Sequence, residues 1–487
     1  MTELLVVIVG LGVSGFLPAL AAAGPSPVTV FLAPLIGAGM TAVAAVPELG
    51  VGGSLLAWYL VVALAANGAV AAWWLTARRF PSPADPRWGW SAATVAVVLG
   101  ALIIPLAALR APMIGWDANS IWLTHALMVS GGHRELLTGL ENAAYRFSNP
   151  DYPPLVPAAG ALAFALFGRG DLHVATGTTV LLNACALGVV GAGIAAVGSG
   201  GRQLTRIGAA AAGAAVCLAG FAVSGPFGVD GYADLLWAAA AAGAVIWGLV
   251  LPLGTRALAV AWICAAAASL TKNEGLTTAL AVLVLIAFRY RPVTLSPLRE
   301  LRTAWPAARE WAERAAFVAL PALPGLAWAG LIRLRGIGDN FFSSSSAQSL
   351  VTRAGATAGG MAAHLAVVPA AAAVLLAGCC FARGDRERAR LGNPAWLWAA
   401  CLASLAIIFG TYVAGGYEIH VWLTYSVNRT TIFAQLLLYA ELAIWLVVAL
   451  DGAFTRERYP VLAGSPSSAG GLPAGGCSSG PAGSRSR

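Results

Sequence analysis

Apolar residues run in long, nearly uninterrupted stretches along most of this chain, and polar residues gather in the gaps between them. The stretches fall near 3–23, 27–47, 55–77, 90–110, 171–197, 204–224, 231–251, 256–271, 274–290, 315–334, 361–382, 395–414 and 428–450. A helix needs roughly 17–25 apolar residues to cross the hydrocarbon of a bilayer. The pattern therefore predicts an all-α, polytopic membrane protein with about thirteen transmembrane helices, those at 256–271 and 274–290 being short. Strands do not fit, because a membrane barrel alternates polar and apolar positions and these runs are uniformly apolar.

Composition agrees with the pattern. The chain is 59% hydrophobic and 10% charged, with a mean hydropathy of +0.78, whereas soluble domains carry roughly 25% charged residues. Glu3 and the lack of a basic leader argue against a cleavable signal, although ALAAAG (19–24) faintly resembles a cleavage site. The seven cysteines show no metal-like pairing, and no disulfide framework is expected.

Charge sets the expected orientation. With the amino terminus outside and the carboxyl terminus in the cytoplasm, 20 basic residues fall inside and 9 outside, as the positive-inside rule demands. Acidic residues run the other way, 12 outside and 8 inside, with Glu441 left within a span. The net charge of +8 is thus a topology signal and not a nucleic-acid footprint.

Five regions follow from the spans. Residues 1–89 hold the first three, and 90–290 form a core with an outer loop at 111–170. Residues 291–314 read as a cytoplasmic amphipathic helix kinked near Pro306, because Leu298, Leu301, Trp305 and Ala308 recur at helical spacing among arginines. Residues 315–460 carry the last spans with an outer loop at 335–360, and 461–487 form a disordered Gly/Ser/Pro tail. Within 111–170, one helix should open at Asp117 and end at Gly131-Gly132, and a second should follow Pro153-Pro154; both are expected in the outer interface. No Walker or dinucleotide motif is present, so any chemistry must be built at the membrane face.

Polar candidates gather on the outer side. Asp117 opens a helix, where it serves as an N-cap, a general base or both. Asp151, before YPPL, is a turn former or a second carboxylate. Asp230 and Asp234 in GVDGYADLLW, one helical turn apart, share a face as caps or as ligands for a hydroxyl or a divalent cation. The stretch LTKNEGLTT holds Lys272, the only lysine of the chain, with Glu274 beside it. A polar hairpin turn explains that pair; so does a phosphate site, since lysine meets phosphate as a compact point charge. Arg429, in YSVNRTT, snorkels to the boundary or binds an anion. Trp116 and Tyr152 suit the interface, while His125 and His420 are lone interfacial hydrogen-bonders.

On these motifs the chain resembles a known group. YPPLVPAAGALAFALFGRGDLHVATGTTVLLNA is similar to the "PPL" helix and following span of the GT-C superfamily of membrane glycosyltransferases. That superfamily includes protein O-mannosyltransferases and aminoarabinose transferases. GWDANSIW resembles its first outer loop, LTKNEGLTT its "LTK" segment, and HVWLTYSVNRTTIFAQLLL a late Arg-containing segment. The likeness covers roughly 90–290 and, more loosely, 410–450. Tyr152 stands where members often carry His, and three spans precede the usual first one. The resemblance implies transfer of a sugar from a polyprenyl-phosphate donor to a glycan, lipid or protein hydroxyl at the outer face of the cytoplasmic membrane, with inversion. It implies that Asp117 is the catalytic base and that Lys272 and Arg429 bind the donor phosphate. Asp151, Asp230, Asp234 and Glu274 are candidate acceptor or metal ligands, and Trp116, Tyr152 and His420 candidate substrate-lining residues. A divalent cation is an optional cofactor in this scheme, and no nucleic acid is involved. A transporter or lipid flippase of envelope biogenesis is the alternative class.

Overall fold

A computed structural model describes residues 2–77, 92–110, 113–168, 170–199, 203–252, 254–290, 306–337, 348–381 and 394–456. Among these residues every regular element is helical. The helices are α1 (Thr2–Ala23), α2 (Pro27–Val51), α3 (Leu55–Ala77), α4 (Ala92–Ala108), α5 (Thr124–Ser130), α6 (His133–Glu141), α7 (Leu155–Phe167), α8 (Leu172–Val197), α9 (Gln203–Ser224), α10 (Asp234–Val245), α11 (Thr255–Ser269), α12 (Asn273–Arg289), α13 (Pro306–Leu334), α14 (Leu350–His364), α15 (Val367–Phe381), α16 (Pro394–Ala414), α17 (Ile419–Thr430) and α18 (Ile432–Arg456). A π-helical turn, Ala118–Leu123, leads into α5, and another, Ile246–Val250, extends α10.

Eight of the described helices are long and apolar enough to cross a membrane, or nine if the bent pair α14–α15 is one span. The chain is therefore an α-helical, multi-pass membrane protein. The thirteen expected from sequence also include the shorter apolar helices Thr94–Ala108, Asp234–Val250 and Thr255–Ser269, of 17 described residues or fewer. The polar Lys272 break likewise leaves α12 at 17 residues.

Close helix packing comes from small residues. A Cβ added at Gly37 would lie 2.1 Å from the Leu11 carbonyl oxygen, and one at Gly15 equally close to that of Ala33, so α1 and α2 meet backbone to backbone. Gly191 and Gly213 bring α8 onto α9 in the same way. In lipid such contacts replace the hydrophobic drive that would hold helices together in water.

Two expectations for the region after α4 fare differently. The helix opening at Asp117 forms and ends at Gly131, with Gly132 at φ +91°. The helix after Pro154 also forms, as α7, and it is covered by protein on all sides instead of lying on the surface. Every residue from Leu155 to Phe164 is buried, with α7 packed against α2, α5 and α8. Its composition is the physical reason: a helix apolar on all sides has no polar face to turn to water and is buried. Of the expected amphipathic segment 291–314, residues 291–305 lie outside the described set. Residues 306–314 are the start of the described part of α13, and the expected kink near Pro306 lies at the edge of the described residues. In the 335–360 loop, residues 338–347 lie outside the described set, and 350–360 are helical in α14. The tail 461–487 is outside it as well.

Besides the main core, a small second core joins α14, α16 and α17 through Met361, Ile408, Tyr412, Ile419, Leu423 and Val427. Arg353 of α14 is 1% exposed. Its guanidinium donates to the backbone carbonyls of Tyr412, Val413 and Tyr417 at 2.5, 2.9 and 2.6 Å. This unit forms one wall of the site described next.

Candidate functional site

Four chain segments meet at one end of the bundle. The first follows α4. Gly115 donates its N–H to the Asp230 carbonyl at 2.9 Å, and a Cβ at Gly115 would sit 2.2 Å from the Tyr232 ring. Only glycine permits this approach. It sets Asp117, whose N–H donates to the Tyr232 hydroxyl at 3.1 Å. The Asp117 side chain makes no N-cap hydrogen bond. It accepts one from Arg429 instead.

The second segment is the turn between α9 and α10. Asp234 begins α10 and is 1% exposed. Its two carboxylate oxygens reach Lys272 Nζ at 2.8 Å and Arg429 Nη1 at 3.6 Å. Asp230 precedes the helix, separated from Asp234 by the turn at Gly231, whose φ is +91°. The two acids therefore do not share a helix face, contrary to the sequence expectation. Asp230 is buried with Oδ1 lacking a hydrogen-bond partner, and burial pushes its carboxyl up to about 7.

The third segment joins α11 to α12. Lys272, 6% exposed, sits at the N-cap position in extended backbone. Its ammonium contacts Asp234, lies 3.4 Å from Glu274 Oε1 and stands 5.4 Å over the Tyr152 ring. Burial opposes the charge, but Asp234 and Glu274 more than offset that and raise the Lys272 amine to about 12. This turn is stitched to the YPPL segment. Leu155 N–H donates to the Leu270 carbonyl at 2.9 Å, and Asn273 donates to the Asp151 carboxylate. Asp151 lies in a tight turn closed by Tyr152 N–H to the Asn149 carbonyl at 3.0 Å, so it is both turn former and tether. Tyr152 is buried and stacks on Trp122 with ring centroids 5.3 Å apart. Burial, then the carboxylates of Glu274, Asp151 and Asp234, hold its phenol well above the ordinary value.

The fourth segment is the last turn of α17. Arg429 donates from Nη1 to Asp117 and from Nε to the Tyr425 carbonyl at 3.1 Å. Its guanidinium lies over the rings of Tyr232 and Phe227, at 5.1 and 5.4 Å. A cation at a helix C-terminus is also favoured by the helix dipole.

These groups border a cavity of about 680 Å³. Asp117, Lys272, Glu274, Arg429, Trp116 and Tyr152 all line it. Asp151 and Asp230 stand behind it, and Asp234 lies beneath the two cations. Asp117 and Arg429 touch side by side as an ion pair beside the cavity. His420 is not at the site. It is exposed in the first turn of α17 and absent from the lining, because Val421 and Tyr425 hold the cavity face and a helix turns about 100° from one residue to the next. His125 is buried against Ser148, 2.9 Å away, and burial lowers it to about 4; it pins the 143–148 turn to α5.

Sequence reasoning missed the aromatic wall. Val421 and Tyr425 line the cavity from α17 and Tyr417 from the turn before it; the i, i+4 spacing of Val421 and Tyr425 is the signal that places them on one face. Tyr412 and Trp422 complete the wall. Among the described residues, no group of three or more His, Cys, Asp or Glu side chains is placed to hold a metal ion. The carboxylates of Asp117, Asp234 and Glu274 are taken up by Lys272 and Arg429, so the residues do not fit a protein-held metal centre.

Fold and site together define a multi-pass membrane protein with a charged, aromatic-walled cavity at one end of its helix bundle. No protein-family model matches the chain, and no curated protein or solved structure shows significant similarity to it.

Proposed function

We propose that this chain is an integral membrane glycosyltransferase of the GT-C type. In this reading it moves a sugar from a polyprenyl-phosphate donor to a hydroxyl acceptor at the outer face of the cytoplasmic membrane. The topology is the one with about thirteen spans, the amino terminus outside and the carboxyl terminus inside. The observation that carries the reading is the convergence of Asp117, Lys272 and Arg429 on one cavity, although they lie far apart in sequence. Its volume of about 680 Å³ falls in the range of small-molecule sites, about 300–1,000 Å³.

The chemistry needs no nucleotide-binding domain. The acceptor oxygen attacks the anomeric carbon and forms the new C–O bond. The bond from that carbon to the phosphate oxygen breaks, and its electron pair stays on the phosphate. A single displacement inverts the anomeric centre. A phosphate monoester, with a second pKa of about 6, leaves without a strong acid but gains from a cation that meets its developing charge. Lys272 and Arg429 supply that charge in a largely desolvated site. Asp117 takes the proton of the acceptor hydroxyl. Asp234 is a positioning residue that holds both cations from below.

A transporter or flippase would carry its ionisable groups near mid-membrane. Glu441, buried in α18, is such a group, whereas Asp117 and Lys272 lie at helix ends. The test is transfer itself: purified protein in lipid nanodiscs, offered polyprenyl-phosphate sugars and hydroxyl acceptors, should release polyprenyl phosphate and glycosylate the acceptor. Translocation of the lipid without any release would replace the enzyme by a flippase.

A further inference from the structure

Arg429 has two carboxylates at one nitrogen. Nη1 contacts Asp117 Oδ2 and lies 3.6 Å from Asp234 Oδ2. Asp234 is itself bonded by Lys272 at 2.8 Å, and Lys272 also contacts Glu274. Three carboxylates therefore compete for two cations in a cluster whose side chains are at most 20% exposed. An anion entering this cavity meets cations that are already engaged, and at Arg429 Nη1 it competes with a carboxylate.

The geometry points to Asp117 as the one that yields. We infer that the phosphate of a lipid-linked donor competes with the Asp117 carboxylate for the Arg429 guanidinium, so that donor binding and release of the base are a single event. This rests on the glycosyltransferase reading and adds to it an order of binding, donor before acceptor.

Three features favour this exchange. Arg429 is held in place without Asp117, by the Tyr425 carbonyl at 3.1 Å and by the rings of Tyr232 and Phe227. Asp234 is 1% exposed, outside the cavity lining, and keeps Arg429 countered when Asp117 lets go. Asp117 does line the cavity, and its backbone stays fixed by the Tyr232 hydroxyl. A freed side chain thus remains at the acceptor's side. The contact uses Oδ2 and leaves Oδ1 with its lone pairs, so the exchange acts by freeing the carboxylate to turn toward the acceptor.

The experiment is a binding titration of the full-length protein in nanodiscs with a short-chain polyprenyl phosphate carrying no sugar. Asp117→Asn should bind it roughly three- to tenfold tighter than wild type, since a competing anion worth about 1 kcal/mol is gone. Glu274→Gln removes one charge without touching Arg429 and should tighten binding less. In the double variant Asp117→Asn/Arg429→Gln the gain should vanish, a coupling that a double-mutant cycle reads directly and that also covers a poorly folding single variant. Unchanged or weaker binding by Asp117→Asn overturns the exchange while leaving the enzyme reading intact. Equal tightening by Glu274→Gln reduces it to net charge and overturns it too. Folded wild type and Asp117→Asn that both ignore polyprenyl phosphate overturn the exchange and the donor assignment together.

Discussion

Arg429 closes on Asp117 across 312 positions of sequence, joining the last turn of α17 to the segment that leaves α4. In the proposed reaction Asp117 is the proton acceptor, and a positioned carboxylate contributes about 10²–10⁴-fold to rate. Asp117→Asn should lower transfer by that factor. The fold should survive, because the amide oxygen can still accept from Arg429 and Asp234 still faces the guanidinium at 3.6 Å. The cost to stability should be about 1–2 kcal/mol. Turnover assays beside thermal unfolding in detergent separate the two effects, and wild-type turnover would remove Asp117 from the mechanism.

Lys272 makes a prediction about pH. Its amine is raised from 10.5 to about 12 in the folded protein. A folded-state pKa above the unfolded one means the stabilisation is fully present below pH 10.5 and is lost as pH rises through about 12. Denaturant unfolding across that window should show a steeper loss of stability in wild type than in Lys272→Met. At neutral pH the Met variant should be weaker by about 3–5 kcal/mol, since a buried Asp234 loses its nearest cation. Arginine should not restore the site fully, because a compact ammonium between Asp234 and the Tyr152 ring is what the space accepts.

Much of this was legible before any coordinates. Asp117, Lys272 and Arg429 each end or begin an apolar run, and counting runs puts them on one side of the bundle, where the structure gathers them. The helix after Pro154 was legible but its cover was not, since hydropathy alone does not say which neighbours, here α2, α5 and α8, close over a short apolar helix. The relation of Asp230 to Asp234 was not. Helical spacing joins them only if the helix starts at 230, and the turn at Gly231 delays it to 234. The role of Tyr232 was hidden for the same reason: it acts from a turn, where periodicity says nothing. The count of spans rests on the short runs, where a break such as that at Lys272 leaves a helix near the lower limit for crossing. His420 was misplaced because the face of α17 that lines the cavity is that of Val421 and Tyr425, which its neighbouring position does not share.

The second core should behave as a unit. Arg353 feeds three backbone carbonyls at the end of α16 and the turn beyond it. In Arg353→Met those acceptors lose their donor while the apolar volume stays filled. About 3 kcal/mol should be lost, in keeping with broken buried charge-assisted hydrogen bonds. The loss should be local, with amide exchange faster in α14 and α17 than in α8 or α10. Uniform acceleration across the bundle would show that α14, α16 and α17 are not a separate unit.

Asp230 should weaken the protein as pH rises. Burial lifts its carboxyl from 3.8 to about 7, against only modest help from nearby backbone N–H groups. The folded state therefore holds a proton that the unfolded chain releases between pH 3.8 and about 7. Stability from this residue is fully present below the lower value and lost through the upper one. Asp230→Asn keeps the shape and removes the titration, so it should raise the unfolding midpoint above pH 7 and change it little at pH 4. Because the Asp230 carbonyl, not its carboxylate, holds Gly115, the variant should retain the placement of Asp117 and hence transfer. An Asn variant that gains nothing at alkaline pH would mean the carboxylate finds a partner on ionising, and a variant that loses transfer would assign Asp230 a part in the reaction itself.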